Sequence, residues 1–244
     1  MDLVRASLAE QLSSLRGVGG SALPAPLLDV IAQRVELTGC DLVCLRPADW
    51  EALREAEAAE SRPVPWWARL WPSGLALARA LAERPPAAGA RVLELGCGLA
   101  LPSAVAARAG GDVLATDGST DAVAFAAHCL ALNELDGEVA HADWSRHGDA
   151  LAARGHWDLI LAADVFYTRP NIGVALRLLP RLLAPQGTLR LADPGRSGAR
   201  DFLAAARGTF SIATERRGDV RLHTLRRRSV HALPPGSPRA VGRR

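Results

Sequence analysis

Arg91-Val92-Leu93-Glu94-Leu95-Gly96-Cys97-Gly98-Leu99-Ala100 is the stretch that decides the fold of this chain. Its first five residues are a short apolar run, the mark of a strand buried on both faces of a sheet. Two glycines follow, which permit a tight turn and let backbone come close to a ligand. Pro102 then opens an expected helix over 102–109, because proline suits the first helical turn.

The same unit repeats downstream. Residues 112–116 read as a second strand and 119–133 as its helix, 138–141 as a third and weaker strand, and 157–163 as a fourth. A helix over 171–183 and a fifth strand over 188–192 follow. Strands and helices alternating with short loops imply a parallel sheet covered on both faces. The runs 210–216 and 220–227, around Arg217-Gly218-Asp219, suggest an antiparallel hairpin closing one edge. The expected class is α/β: a Rossmann-like, mostly parallel seven-stranded sheet with helices on both faces, an antiparallel C-terminal hairpin and an N-terminal extension.

That extension covers residues 1–60. Leu8, Leu12 and Leu15 make an apolar stripe on a helix over 2–16, broken by the glycines of 17–20. A short helix over 24–34, a hairpin of 35–37 with 42–45, and a helix from Pro47 to residue 60 are expected next. The proline- and tryptophan-rich segment 61–74 starts the main domain, 61–230, and Ser73 is placed to cap a helix carrying Leu75, Leu77, Ala78 and Leu81. Residues 231–244, rich in Pro, Gly and Arg, read as a disordered basic tail.

Composition narrows the function classes. The 244 residues are 49% hydrophobic and 23% charged, the balance of a soluble globular protein. No apolar run reaches the roughly 20 residues of a membrane span, and the N-terminus shows no signal peptide, so a cytoplasmic protein without a membrane partner is expected. Cys40, Cys44, Cys97 and Cys129 form no CxxC pair and the histidines are scattered, so no metal is expected. Every basic side chain is arginine, which reads as codon usage. Residues 1–200 hold 19 arginines against 23 acids and residues 201–244 hold 10 against 3, so the excess behind the net charge of +3 lies at the C-terminus. A solvated tail accounts for it, and a nucleic-acid partner is not expected.

In open α/β sheets a ligand lies beyond the carboxyl ends of the strands. Glu94, Gly96 and Gly98 end the first strand; Asp117, nineteen residues after Gly98, ends the second at the spacing of an acid that reaches a ribose diol. Asp143 and Trp144 end the third, where a carboxylate can accept from an adenine amine and an indole can pack on the ring. This set points to a nucleoside. A nicotinamide dinucleotide would call for a third glycine where Leu101 stands, and Glu94 would repel its diphosphate. S-adenosylmethionine has no phosphate and carries two cationic groups, so nearby carboxylates suit it.

From about Arg62 to Arg228 the chain resembles the seven-β-strand class I methyltransferases, with Glu94 to Ala100 as their first motif and Ala100 where a third glycine often stands. More narrowly, Pro65-Trp66-Trp67-Ala68-Arg69-Leu70-Trp71-Pro72-Ser73-Gly74, Asp143-Trp144, Asp164-Val165-Phe166-Tyr167 and Asp193-Pro194-Gly195-Arg196 resemble the protein-lysine methyltransferase group that includes the electron-transfer flavoprotein β-subunit enzyme. The resemblance does not extend to residues 1–60 or the tail. It implies S-adenosylmethionine as cofactor, Asp164 holding the acceptor amine and Tyr167 shaping its pocket. The cluster of Trp66, Trp67 and Trp71 reads either as a linker anchoring the extension or as a lid over the methionine end of the cofactor, with Trp71 the nearest contact. Arg196 reads either as a receptor for an acidic substrate group or as structural. A lysine on a protein substrate is the expected acceptor; a nicotinamide-like or amine small molecule is the alternative, and a non-catalytic S-adenosylmethionine-binding protein a further one.

Overall fold

The computed structural model describes residues 1–19, 22–167 and 169–228, so the expected tail lies outside the described residues. Helix α1 (Asp2–Arg16) buries Leu8 and Leu12, but Leu15 stays 41% exposed, because the last turn directs Arg16 inward instead. The helix expected over 24–34 is confined to α2 (Ala25–Leu28). Strand pairing claims the rest: β1 (Val30–Leu37) and β2 (Cys40–Pro47) pair antiparallel over their whole length, from Val30 opposite Pro47 to Leu37 opposite Cys40. Pro47 therefore ends a strand rather than opening a helix. Asp49 starts helix α3 (Trp50–Ala59) by accepting from the Ala52 N–H at 3.0 Å.

After a short 3₁₀ turn (Trp66–Ala68), helix α4 (Pro72–Glu83) begins with Pro72 in its first turn and Trp71 at the cap. Ser73 is thus inside the helix, and its buried hydroxyl has no hydrogen-bond partner. The serine cap expected there loses to proline, whose missing N–H costs nothing at a helix start. The doubly wound part follows: β3 (Arg91–Leu95), α5 (Leu101–Arg108), β4 (Asp112–Asp117), α6 (Thr120–Leu132), β5 (Glu138–His141), α7 (Trp144–Ala153), β6 (Trp157–Ala163), α8 (Arg169–Leu182), β7 (Leu183–Asp193), α9 (Ser197–Ala206), β8 (Phe210–Arg217) and β9 (Val220–Arg227). The strands lie in the order β5-β4-β3-β6-β7-β9-β8. The first five are parallel and the last two antiparallel, the Rossmann-like sheet expected. Helices α7 and α9 were not expected.

One apolar cluster joins Leu8, Leu12, Leu45 and Leu53 to Leu77, Leu81, Phe125 and Leu130, so residues of the first sixty pack on the helices of one sheet face. The other face packs Trp157, Leu178, Leu182, Phe202 and Phe210. At about 1.5–3 kcal/mol for each fully buried leucine, this burial holds β3 rigidly between β4 and β6. Cys44 lies 3.8 Å from Cys129, both thiols free and buried, and serves the first cluster. No helix among the described residues is long and apolar enough to cross a membrane.

Candidate active site

A cleft of about 960 Å³ opens at the carboxyl ends of β3, β4, β5 and β6, with the tryptophan-proline segment along one wall. Its floor is the turn after β3, where Gly96, Gly98 and Ala100 all adopt positive φ (68°, 52° and 54°). Gly98 is required twice over: its φ is left-handed, and a Cβ there would stand 3.2 Å from the Trp67 carbonyl oxygen. Ala100 makes the same left-handed turn with a Cβ, at a cost of about 1–2 kcal/mol.

Asp117 braces this turn. One carboxylate oxygen accepts from the Gly98 N–H at 2.9 Å and the other from the Ser119 N–H at 2.8 Å. Each oxygen keeps a second lone pair, so the group can still accept from a diol. Burial pushes its carboxyl above the ordinary range. Glu94 is more deeply set. One of its oxygens accepts from the Ser103 N–H at 2.9 Å and the Ser103 hydroxyl at 2.5 Å, at the start of α5. Burial pushes its carboxyl up to about 8.

Asp143 and Trp144 stand where β5 passes into α7. Asp143 caps that helix, accepting from the Ser145 N–H at 2.9 Å and hydroxyl at 2.7 Å, which holds its carboxyl below the usual range. Both residues line the cleft. Trp144 meets Phe166 edge-on, ring centres 6.4 Å apart.

The tryptophan cluster anchors the extension and forms part of the cleft wall. Trp50 of α3 packs on Trp66 at 5.6 Å and donates its indole N–H to the Pro65 carbonyl, which ties the extension down. Trp66, Trp67 and Trp71 line the cleft. The Arg69 guanidinium lies 5.1 Å from the Trp50 ring and 4.6 Å from the Trp71 ring, a cation–π stack that stiffens the wall.

At the far end Asp164 leaves β6 with φ of 59°, a left-handed turn that Asp tolerates better than most residues. Its N–H donates to the Ala192 carbonyl at 2.9 Å. Its carboxylate accepts from Arg196 Nε at 2.5 Å and Nη2 at 3.1 Å, and the side chain is only 10% exposed. Tyr167 stands exposed at the rim of the same cleft.

Three lining residues escaped the sequence reading. Glu57, Arg62 and Asp121 belong to a buried ion network centred on Arg16, which donates to Glu57 at 2.6 Å and to both oxygens of Asp121 at 3.0 and 2.7 Å. Arg62 Nε donates to the other Glu57 oxygen at 2.6 Å. No local pattern marks these residues, since Arg16 is 41 and 105 positions away from its partners.

A profile of the methyltransferase domain matches residues 69–227. The chain belongs to this methyltransferase family. S-adenosylmethionine is the cofactor that goes with the family. The electron transfer flavoprotein beta subunit lysine methyltransferase of Xenopus laevis is 34% identical over 174 residues, 70% of this chain; the chain spans 65% of that relative's length. The EEF1A lysine methyltransferase 3 of Mus musculus is 30% identical over 186 residues, 69% of this methyltransferase and 75% of the relative. In fold, the methyltransferase resembles the T. thermophilus 16S rRNA N2 G1207 methyltransferase in complex with AdoMet and guanosine, with TM-score 0.59 and 20% identity over 82% of this chain and 51% of that one. The donor set fits the cofactor: Glu94, Asp117 and Asp143 bring carboxyl groups to the ends of β3, β4 and β5 for a ligand that carries cations and no phosphate.

Proposed function

We propose that this methyltransferase transfers a methyl group from S-adenosylmethionine to the side-chain amine of a lysine on another protein. The observation that carries this reading is Asp164, a carboxylate presented at the carboxyl end of β6 on a left-handed turn, inside a cleft lined by Trp66 and Tyr167. The likeness to two relatives named as lysine methyltransferases supports the choice of acceptor.

When bound, the cofactor supplies a methyl group on a cationic sulfur, which keeps the C–S electron pair as the amine nitrogen takes the methyl. The chain's own work is placement. The glycine turn and Asp117 would hold the ribose, Asp143 and Trp144 the adenine, and Trp71 with Glu94 the methionine end. Asp164 would accept from an amine N–H and so aim the nitrogen lone pair, while Tyr167 shapes the mouth and the neighbouring indoles keep water out.

Asp117→Ala is expected to weaken cofactor binding by about 1–3 kcal/mol, the scale of a hydrogen bond to a charged group. Calorimetry giving an unchanged affinity would remove Asp117 from the site.

Cofactor affinity is also expected to rise between about pH 6.5 and 7.5, below the range in which the ligand's own α-amine loses its charge. Glu94, at about 8 in the free protein, is protonated at the lower end of that window. A cationic ligand favours its ionised form, so binding expels a proton and strengthens as pH climbs. Glu94→Gln should flatten this dependence, and an identical slope in that variant would show that Glu94 is not its source.

The acceptor is tested by incubating enzyme and methyl-labelled cofactor with an extract of cells lacking the gene, then precipitating protein. Label recovered as methyl-lysine after hydrolysis is expected. The chain contains no lysine, so such a product must come from a different protein. Label found only in the small-molecule supernatant would overturn the reading and point to a free amine; label resistant to protease and released by ribonuclease would point to RNA.

A further inference from the structure

We propose that Arg196 is a positioning residue for the methyl transfer: paired with Asp164, it cancels the carboxylate's charge at the acceptor position, so that an arriving amine is held without being locked as its ammonium form. This rests on the amine-acceptor reading above.

An amine takes a methyl group only through its free lone pair. A lone carboxylate beside it favours the ammonium ion, which has no lone pair to offer. The feature that holds the acceptor would then also disarm it. Arg196 removes the conflict. Its Nε and Nη2 take one lone pair on each Asp164 oxygen, at 2.5 and 3.1 Å, and leave a second on each for an amine N–H. The pair has no net charge but keeps its acceptors.

The pairing is built into the fold. Asp193 Oδ1 accepts from both the Gly195 and Arg196 N–H groups, at 2.5 and 2.7 Å, which fixes the turn that carries Arg196. Gly198 lies so close to the Phe166 carbonyl that a Cβ would stand 2.0 Å from its oxygen, and Phe166 stacks on Phe202 of α9 at 4.2 Å. The turn holding Asp164 and the turn holding Arg196 therefore move as one piece.

The other charged groups around this position have separate work. Asp193 gives Oδ1 to its own turn and keeps Oδ2 buried without a partner, Arg221 of β9 packs its guanidinium against Gly195, and Arg200 donates to the Gly195 carbonyl at 2.7 Å. Glu94 bonds Ser103, Asp117 bonds the glycine turn, and Asp143 caps α7. Arg69 is stacked on the tryptophans. Tyr167 adds a neutral phenol at the rim. Among the described residues named here, Arg196 is the cation set directly on Asp164.

The test is the pH dependence of methylation at saturating cofactor, read on the protein band that wild-type enzyme labels in the gene-deleted extract. In R196M the rising limb should move to higher pH by about one unit or more, a loss of roughly ten-fold at neutral pH that is recovered in alkali. R196K, which restores a cation, should keep the limb near its wild-type position. A uniform loss across pH with an unmoved limb would make Arg196 a simple anchor, and a gain at neutral pH would make it a plug; either overturns the inference while leaving the lysine reading intact. Cofactor affinity measured alongside checks folding, and R196Q repeats the comparison if R196M does not bind cofactor. A wild type that labels no protein at any pH overturns the lysine reading itself, and this inference with it.

Discussion

Arg16→Met is expected to lower the unfolding free energy by about 3–5 kcal/mol, the cost of stranding buried charge. The side chains of Arg16, Glu57 and Asp121 are 3%, 4% and 6% exposed, so water cannot replace the lost guanidinium. Arg62 reaches Glu57 at 2.6 Å but lies 3.6 Å from Asp121, and it is 36% exposed, so it covers the loss only in part. In a domain of this size each kcal/mol moves the melting temperature by about 2–4 °C. Cofactor affinity should fall with it, because Glu57 and Asp121 are part of the cleft wall. Removing the carboxylates as well, in the triple variant R16M/E57Q/D121N, should return much of the stability. If R16M alone melts within about 2 °C of wild type, the network is not holding the extension to the sheet's helices.

Asp164→Asn is expected to lower turnover by about a hundred-fold or more, the penalty of a reacting group misplaced by an ångström. The amide keeps the shape but offers one acceptor oxygen where the carboxylate offers two, and it leaves Arg196 without a counterion. Cofactor affinity should stay at its wild-type value, since Asp164 makes no contact with the glycine turn and Asp117 does. Single-turnover rates and calorimetry separate the two quantities. Equal loss of binding and rate would make Asp164 a cofactor or folding residue instead.

The parts of the fold that could be read from the residues are those where local chemistry and tertiary context agree. Val92 to Leu95, Leu159 to Ala162 and the 210–227 hairpin are apolar or β-rich, and the sheet accepts them at those places. Helix α7 was missed because its start, Asp143-Trp144, reads as ligand contacts; Asp143 is in fact the helix cap while it lines the cleft. Helix α9 was missed because it opens Ser197-Gly198 straight after Pro194-Gly195, a turn-like run whose second glycine is needed for contact with Phe166 rather than for a bend. In the extension, the hairpin expected over 35–37 and 42–45 runs on to Val30 opposite Pro47, and this longer pairing takes Val30 to Arg34 out of the helix expected over 24–34. For the cleft, each residue named from motif ends does line it, including Trp71, Glu94, Asp117, Asp143, Asp164 and Tyr167. What stayed hidden was their pairing. That Asp164 faces Arg196, that Glu94 is bonded to Ser103, and that Asp121 answers Arg16 are facts of three-dimensional register.

The placement of the indoles has an optical consequence. Of the six tryptophans, Trp66, Trp67, Trp71 and Trp144 line the cleft, and Trp50 packs on two of them. Only Trp157 lies elsewhere, buried at the start of β6 under the Arg91 guanidinium. Ultraviolet emission from this protein is therefore expected to come mostly from indoles in or against the cleft, and the close Trp50–Trp66–Trp71 trio should couple its transitions into a circular-dichroism couplet. The protein carries its own fluorophores for titration, with no dye attached.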